Sequence, residues 1–176
     1  MGDTLARELS LSWRRSSSLS LVILDIDHFK RINDLFGHNA GDMALSEVAR
    51  VLSRNLRKSD IACRLGGEEF ALVLPDSTLD GILRRVQEIC SLIKGLTLRY
   101  DGRLLGKLTL SAGIAAAPEH AFTAGNLMRA ADEALYSAKH AGRDQVVVRE
   151  SRRESSYPGE IHSAAARTGD AALPKD

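Results

Sequence analysis

Apolar positions change their period several times along the chain, and each change marks an element. Residues 4–15 put Leu5, Leu9 and Trp13 on one helical face, ahead of a run of three serines at 16–18. "LSLVILDID" (19–27) is a near-continuous apolar run, which predicts a strand covered on both faces. "HFKRINDLFGHNAG" begins as a short helix with Phe29, Ile32 and Phe36 inward, and breaks at Gly37. A longer helix is predicted from Asp42 to Arg57, because Leu45, Val48, Ala49, Leu52 and Leu56 recur at helical spacing. Ile61–Leu65 and Phe70–Leu74 read as strands on either side of a Gly66-Gly67 turn.

"DSTLDGILRRVQEICSLIKG" has the form of a capped helix, with Leu79, Ile82, Leu83, Val86, Ile89 and Ile93 as its buried stripe and Gly95 as its stop. "LTLRYDGRLLGKLTLSAGIAAA" predicts a hairpin at Asp101-Gly102 and a long return strand ending near Pro118. "NLMRAADEALYSAKHAG" is a further helix, with Leu127, Ala131, Ala134, Leu135 and Ala138 inward and Gly142 as its stop, and "DQVVVRE" closes with a short strand. Periodicity then vanishes. The order β-α-α-β-β-α-β-α-β fits an α+β fold of ferredoxin-like or palm-like layout, a mostly antiparallel sheet flanked by helices. The expected division is a helix and linker over 1–18, one catalytic domain over 19–149, and a disordered tail over 150–176.

Composition narrows the function classes. With 176 residues, 44% of them hydrophobic, the chain suits one domain with a full core. A formal net charge of +1 gives no global field for nucleic acid or an anionic membrane, so any phosphate site must come from a local cluster. Two cysteines, Cys63 and Cys90, lack metal-ligand spacing and read as buried free thiols in a reducing compartment. No apolar run reaches membrane-span length, and "MGDTLARELSLSWRR" lacks the apolar stretch of a secretory signal. A cytoplasmic setting is expected, whether or not a longer parent protein is tethered to a membrane.

The chemistry lies in the acids. In "RLGGEEFALVL" (64–74) two adjacent carboxylates, Glu68 and Glu69, sit where the chain turns, and "LDID" ends its strand on Asp25 and Asp27. An antiparallel sheet can bring that strand beside the hairpin and so bring Asp25 close to Glu68. Two like charges about 4 Å apart repel by roughly 4 kcal/mol at an effective dielectric near 20, and a divalent cation turns that repulsion into a binding site. Hard oxygen ligands in small number suit Mg²⁺, which keeps positions open for substrate phosphate. A solvated strand end and a soluble turn explain the same acids without a metal. Lys30, Lys139 and Arg143 supply the positive charge that a metal-triphosphate would need, although Lys139 alone could equally be a solvated helix face. Asn33 and Asp42 flank the bend "NDLFGHNAGD". A carboxylate there could accept guanine's N1–H and N2–H, while caps and turns are the plainer role for both residue types.

Taken together, "LDIDHFKRINDLFGHNAGD", "CRLGGEEFALVLP", "LTLSAGIA" and "ADEALYSAKHAGRDQV" resemble, in order and spacing, the GGDEF-domain diguanylate cyclases in their GGEEF variant. The resemblance covers residues from about 19 to 149. It implies that Asp25, the carbonyl of Ile26, and Glu68 hold Mg²⁺ or Mn²⁺, with Glu69 the other catalytic acid of the turn. It implies that Gly66 and Gly67 let the backbone approach the triphosphate and that Asn33 and Asp42 read guanine. Phe29, Lys30, His38, Lys139 and Arg143 complete the substrate region. Members join two GTP into cyclic di-GMP across a transient antiparallel homodimer. "RKSD" (57–60) matches the family's RxxD product-inhibition site, so Arg57 and Asp60 would bind cyclic di-GMP with a basic patch that includes Arg84 or Arg85. The family usually carries a "DxLTGLxNR" segment and a sensory domain that this sequence does not contain, so a fragment of a longer protein, or a stand-alone domain missing its start, is expected. Two other readings stay open: a GTP or cyclic di-GMP binding module without turnover, and another palm-fold nucleotidyl transferase. Near-neutral charge argues against a template-bound polymerase and against a polymeric nucleic-acid partner.

Overall fold

A computed structural model describes residues 1–150, so the predicted disordered tail falls, but for Glu150, outside the described residues. The elements in chain order are α1 (Gly2–Arg15), β1 (Leu19–Ile26), α2 (Phe29–Phe36), α3 (His38–Arg54), β2 (Ile61–Gly66), β3 (Glu69–Pro75), α4 (Leu79–Lys94), β4 (Arg99–Tyr100), β5 (Arg103–Leu104), β6 (Leu110–Ala117), α5 (Ala124–His140) and β7 (Val146–Val148). A five-stranded sheet runs β2-β3-β1-β6-β7, with β4-β5 a separate two-stranded ribbon. All pairs are antiparallel except β6 with β7. The predicted mixed fold with a mostly antiparallel sheet is therefore correct.

The apolar run of β1 is buried along its whole length because the strand is central and helices cover both faces. Alternation sends Val22, Leu24 and Ile26 into a core shared with α2, α3 and α4. Leu19, Leu21 and Ile23 face the other way, into a core shared with α1 and α5. Two helices begin on side-chain caps: Thr78 accepts from the Gly81 amide at 3.3 Å, and Thr123 from the Asn126 amide at 3.2 Å. Among the described residues no helix is long and apolar enough to cross a membrane.

Four expectations need correction. The helix predicted from Asp42 starts a turn earlier, at His38, and ends at Arg54. Gly41, read as part of a bend, lies inside α3, where a Cβ would overlap Asn33 Oδ1 and sit 3.0 Å from Phe29 Cζ. Its missing side chain lets α2 and α3 close on each other. The long return strand is broken into β5 and β6 by a segment containing Gly106, whose φ is +88°. Trp13 leaves the apolar face of α1 and stacks on Phe122 at a centroid distance of 5.9 Å, both rings well exposed. The cysteines are free but half-buried. Burial still pushes the Cys90 thiol up to about 12.

Candidate functional site

The hairpin brings the acids of two strands together at one end of the sheet. β1 and β3 pair with Asp25 opposite Glu69, and the Ile26 amide donates to the Glu68 carbonyl at 3.3 Å. Directly opposed residues share a face, so Glu69 is the cross-strand neighbour of Asp25, and Glu68 occupies the turn beside it. That turn holds Gly67 at φ +51°, which a side chain would disfavour. Arg64, which is not among the predicted site residues, forks onto the Gly67 carbonyl with Nε at 2.9 Å and Nη2 at 2.6 Å. It fixes the turn from the preceding strand.

Asp25 is buried, and its carboxylate is not left alone. Lys139, near the end of α5, places Nζ 2.7 Å from Asp25 Oδ2, with the Asp25 side chain 8% exposed. The sequence predicted Lys139 beside phosphate; the structure puts it on the acid. Asp27, grouped with Asp25 in the sequence, has a different task. It accepts from Thr109 Oγ1 at 2.8 Å, Ser111 Oγ at 2.7 Å and the Asp144 amide at 3.0 Å. These bonds pin the loop after α5, which carries Arg143 in an exposed position at φ +61°. Lys94 of α4 reaches the Asp144 carboxylate and secures the same loop from the other side.

A cavity of about 450 Å³ opens between α3 and the hairpin strands, lined by Asp42, Leu45 and Ser46 from the helix and by Arg64 and Phe70 from the strands. Asn33 lies next to it across Gly41; its Oδ1 is buried there and makes no hydrogen bond. Phe29 is buried in the core at the start of α2, whereas Lys30 and His38 are exposed. The structure thus collects Asp25, Glu68, Glu69, Lys139 and the turn glycines at the strand end, with Asp42 and Asn33 at the neighbouring cavity. Among the described residues no group of three or more His, Cys, Asp or Glu side chains converges as a metal cage. A cation there would complete its coordination with substrate oxygens or water.

A second cluster stands apart. Asp60 Oδ2 accepts from the Arg57 amide at 2.7 Å and from Arg85 Nη2 at 2.5 Å. Of the two arginines expected in the basic patch, Arg85 is the one that reaches Asp60, whereas Arg84 is exposed and makes no ion pair among the described residues. A smaller cavity of about 190 Å³ adjoins this cluster, lined by Arg57, Arg85, Ser77 and Thr78.

Arg64 lies outside the predicted site and Arg85 enters it only as an alternative to Arg84, and the two share a cause. Each is an arginine whose partner is supplied by the fold, and the only sequence signal was a cation close to a turn or an acid.

The family described as "Diguanylate cyclase, GGDEF domain" matches residues 1–145. Response regulator PleD of Caulobacter vibrioides is 39% identical over 146 residues, which span 82% of this chain and 32% of that protein. Diguanylate cyclase DgcP of Pseudomonas aeruginosa is 40% identical over 149 residues, 84% of this chain and 22% of that one. The chain therefore spans a third or less of these two curated relatives. Among solved structures, the GGDEF domain of DgcB from Caulobacter crescentus in complex with c-di-GMP superposes with a TM-score of 0.81 at 34% identity, covering 85% of this chain and 88% of that one.

Proposed function

The chain belongs to the GGDEF family of diguanylate cyclases, and from that membership and the strand-end acids we propose that it condenses two GTP into cyclic di-GMP. The observation that carries this reading is the register of β1 on β3, which sets Asp25 against the Glu68-Glu69 turn. The donor set fits a hard divalent ion. A buried carboxylate, a strand-end carbonyl and a turn carboxylate are all oxygen ligands, and Asp25 already holds a cation in the form of Lys139. Asp25, the Ile26 carbonyl and Glu68 would hold Mg²⁺ or Mn²⁺. Such an ion, when bound, neutralises charge on the triphosphate and polarises its phosphoryl oxygens.

The chain's own groups do the rest. Asp42 accepts guanine's N1–H and N2–H at the mouth of the larger cavity, and Asn33 adds an amide contact. His38 lies at the start of the same helix, four residues before Asp42. Lys139, Arg143 and Lys30 take the phosphates, and the bare backbone at Gly66-Gly67 allows close approach. The 3′-oxygen of one GTP bonds to the α-phosphorus of the other, the bond to the β-phosphate oxygen breaks, and pyrophosphate leaves. Glu69, the other catalytic acid of the turn, takes the hydroxyl proton. Each domain holds one GTP, so two copies must meet in antiparallel fashion, transiently. Arg57 and Asp60 form a separate product-inhibition site.

Incubating the purified chain with GTP and Mg²⁺, and separating products by chromatography, tests the reading. Cyclic di-GMP should form at a rate that rises faster than linearly with protein concentration. GTP binding without product in any concentration range would leave a binding module and end the enzyme reading.

A further inference from the structure

Asp60 is the acid that would receive a guanine edge in the product site, and in the folded chain it is already taken. Its side chain is 0% exposed. Both strong contacts fall on Oδ2, from the Arg57 amide at 2.7 Å and Arg85 Nη2 at 2.5 Å, and Ser59 Oγ is 3.4 Å from Oδ1. A guanine Watson–Crick edge takes both oxygens of one carboxylate, whereas here Oδ2 already carries two donors and the side chain is closed to solvent. Arg85 is itself held, with Nε and Nη2 donating to the Asn55 carbonyl at 3.1 and 2.7 Å, so it straps α4 to the end of α3.

The strap is not fully satisfied. Arg85 Nη1 is buried and makes no hydrogen bond, a desolvated donor on a charged group. The neighbouring cavity of about 190 Å³, at the start of α4, gives that guanidinium somewhere to go. Resting on the proposed product site, we propose that Arg85 is an internal competitor for Asp60: it imitates the guanine donors, and a guanine nucleotide enters only by displacing it. Displacement frees Nη1 to meet water or a ligand phosphate, which partly offsets the lost ion pair. The residue at position 85 therefore sets the product concentration at which inhibition begins.

Calorimetric titration of cyclic di-GMP into the chain, Arg85→Met and Arg85→Lys tests this, with a melting curve of each to establish folding. The competitor predicts about tenfold tighter binding by Arg85→Met, since one charge-assisted hydrogen bond no longer has to be broken. Arg85→Lys, which cannot fork onto Asn55 and Asp60 together, should fall between. Adding Arg57→Ala to Arg85→Met should remove the gain and locate it at this site. In the unmutated chain the ¹⁵N signal of Arg85 Nε should shift on saturation, and that measurement decides the matter if both variants misfold. Weaker binding by Arg85→Met would make Arg85 a ligand contact and overturn the competitor while leaving the product site intact. Unchanged binding, or an unmoved Nε signal at saturation, also overturns it. No binding by any form refutes the product site itself, and the competitor with it.

Discussion

Gly113 lies in β6 against the backbone of α5. A Cβ added there would fall inside contact distance of the Ala131 carbonyl oxygen and the Leu135 amide, and 2.8 Å from Leu135 Cα. These are main-chain atoms of a helix, so no rotamer change relieves the overlap, and Gly113→Ala must push α5 off the sheet. Inserting one methyl into a well-packed core costs typically 1–3 kcal/mol, and a backbone collision belongs at the upper end, about 3 kcal/mol. Removing a glycine returns only about 0.4–1 kcal/mol through the unfolded chain. The net loss is about 2 kcal/mol, or roughly 4–8 °C in melting temperature for a domain of this size. Lys139 sits one helical turn beyond Leu135, so the same displacement pulls its ammonium from Asp25. Cyclase activity at a temperature where the variant is fully folded should therefore fall as well. Gly125→Ala is the control: it lies in the first turn of α5, its Cβ would meet nothing within 4 Å, and it should stabilise by a few tenths of a kcal/mol. Thermal unfolding by circular dichroism compares the two. A Gly113→Ala midpoint within 2 °C of the unmutated chain would refute the close-approach argument.

Two further outcomes concern the site. Glu68→Gln and Asp25→Asn should each reduce cyclic di-GMP formation by more than about a hundredfold at a temperature where the variant is folded, because each removes the negative charge of a metal ligand without changing size; comparable turnover in either rejects the metal assignment. Asp42→Ala should erode a preference for GTP over ATP by about 1–3 kcal/mol of discrimination, measured as relative affinities, since guanine's two donors lose their acceptor; equal binding of both nucleotides by the unmutated chain rejects the base-reading role.

What the sequence disclosed, and what it did not, divides by the range of the cause. β1, α4 and α5 were legible because burial imposes a period on consecutive residues, and the doubled acid stood out because Glu is a poor choice beside a central apolar strand. The start of α3 was misplaced because Gly41 was read for its backbone freedom, whereas its reason is Asn33 on another helix. Asp27 groups with Asp25 in the sequence because alternation identifies a face but not a partner; Ser111 in β6 and Thr109 just before it are more than eighty residues away. The choice of Arg85 over Arg84 is hidden for the same reason, because its partners Asn55 and Asp60 lie in distant parts of the chain.

Those long-range partners share one consequence. Two of the acids that the family resemblance assigns to ligands, Asp25 for a metal and Asp60 for a nucleotide, are each held in the folded chain by one of its own cations. The cations come from helices on opposite faces of the sheet, Lys139 from α5 and Arg85 from α4. A buried carboxylate with no counter-charge would cost several kcal/mol, a large part of a marginal stability, so the domain needs these pairs to fold before any ligand arrives. Ligand binding at both places is then an exchange of one cation or donor for another. Its strength depends on how firmly the resident side chain is held as much as on the new contacts. Among the described residues Lys139 has one partner and 30% exposure, whereas Arg85 is strapped to two groups and is 18% exposed, so the metal site should open more readily than the product site. Under the proposed function, substrate would then be engaged at low occupancy of the proposed inhibitory site, which is the order product inhibition requires.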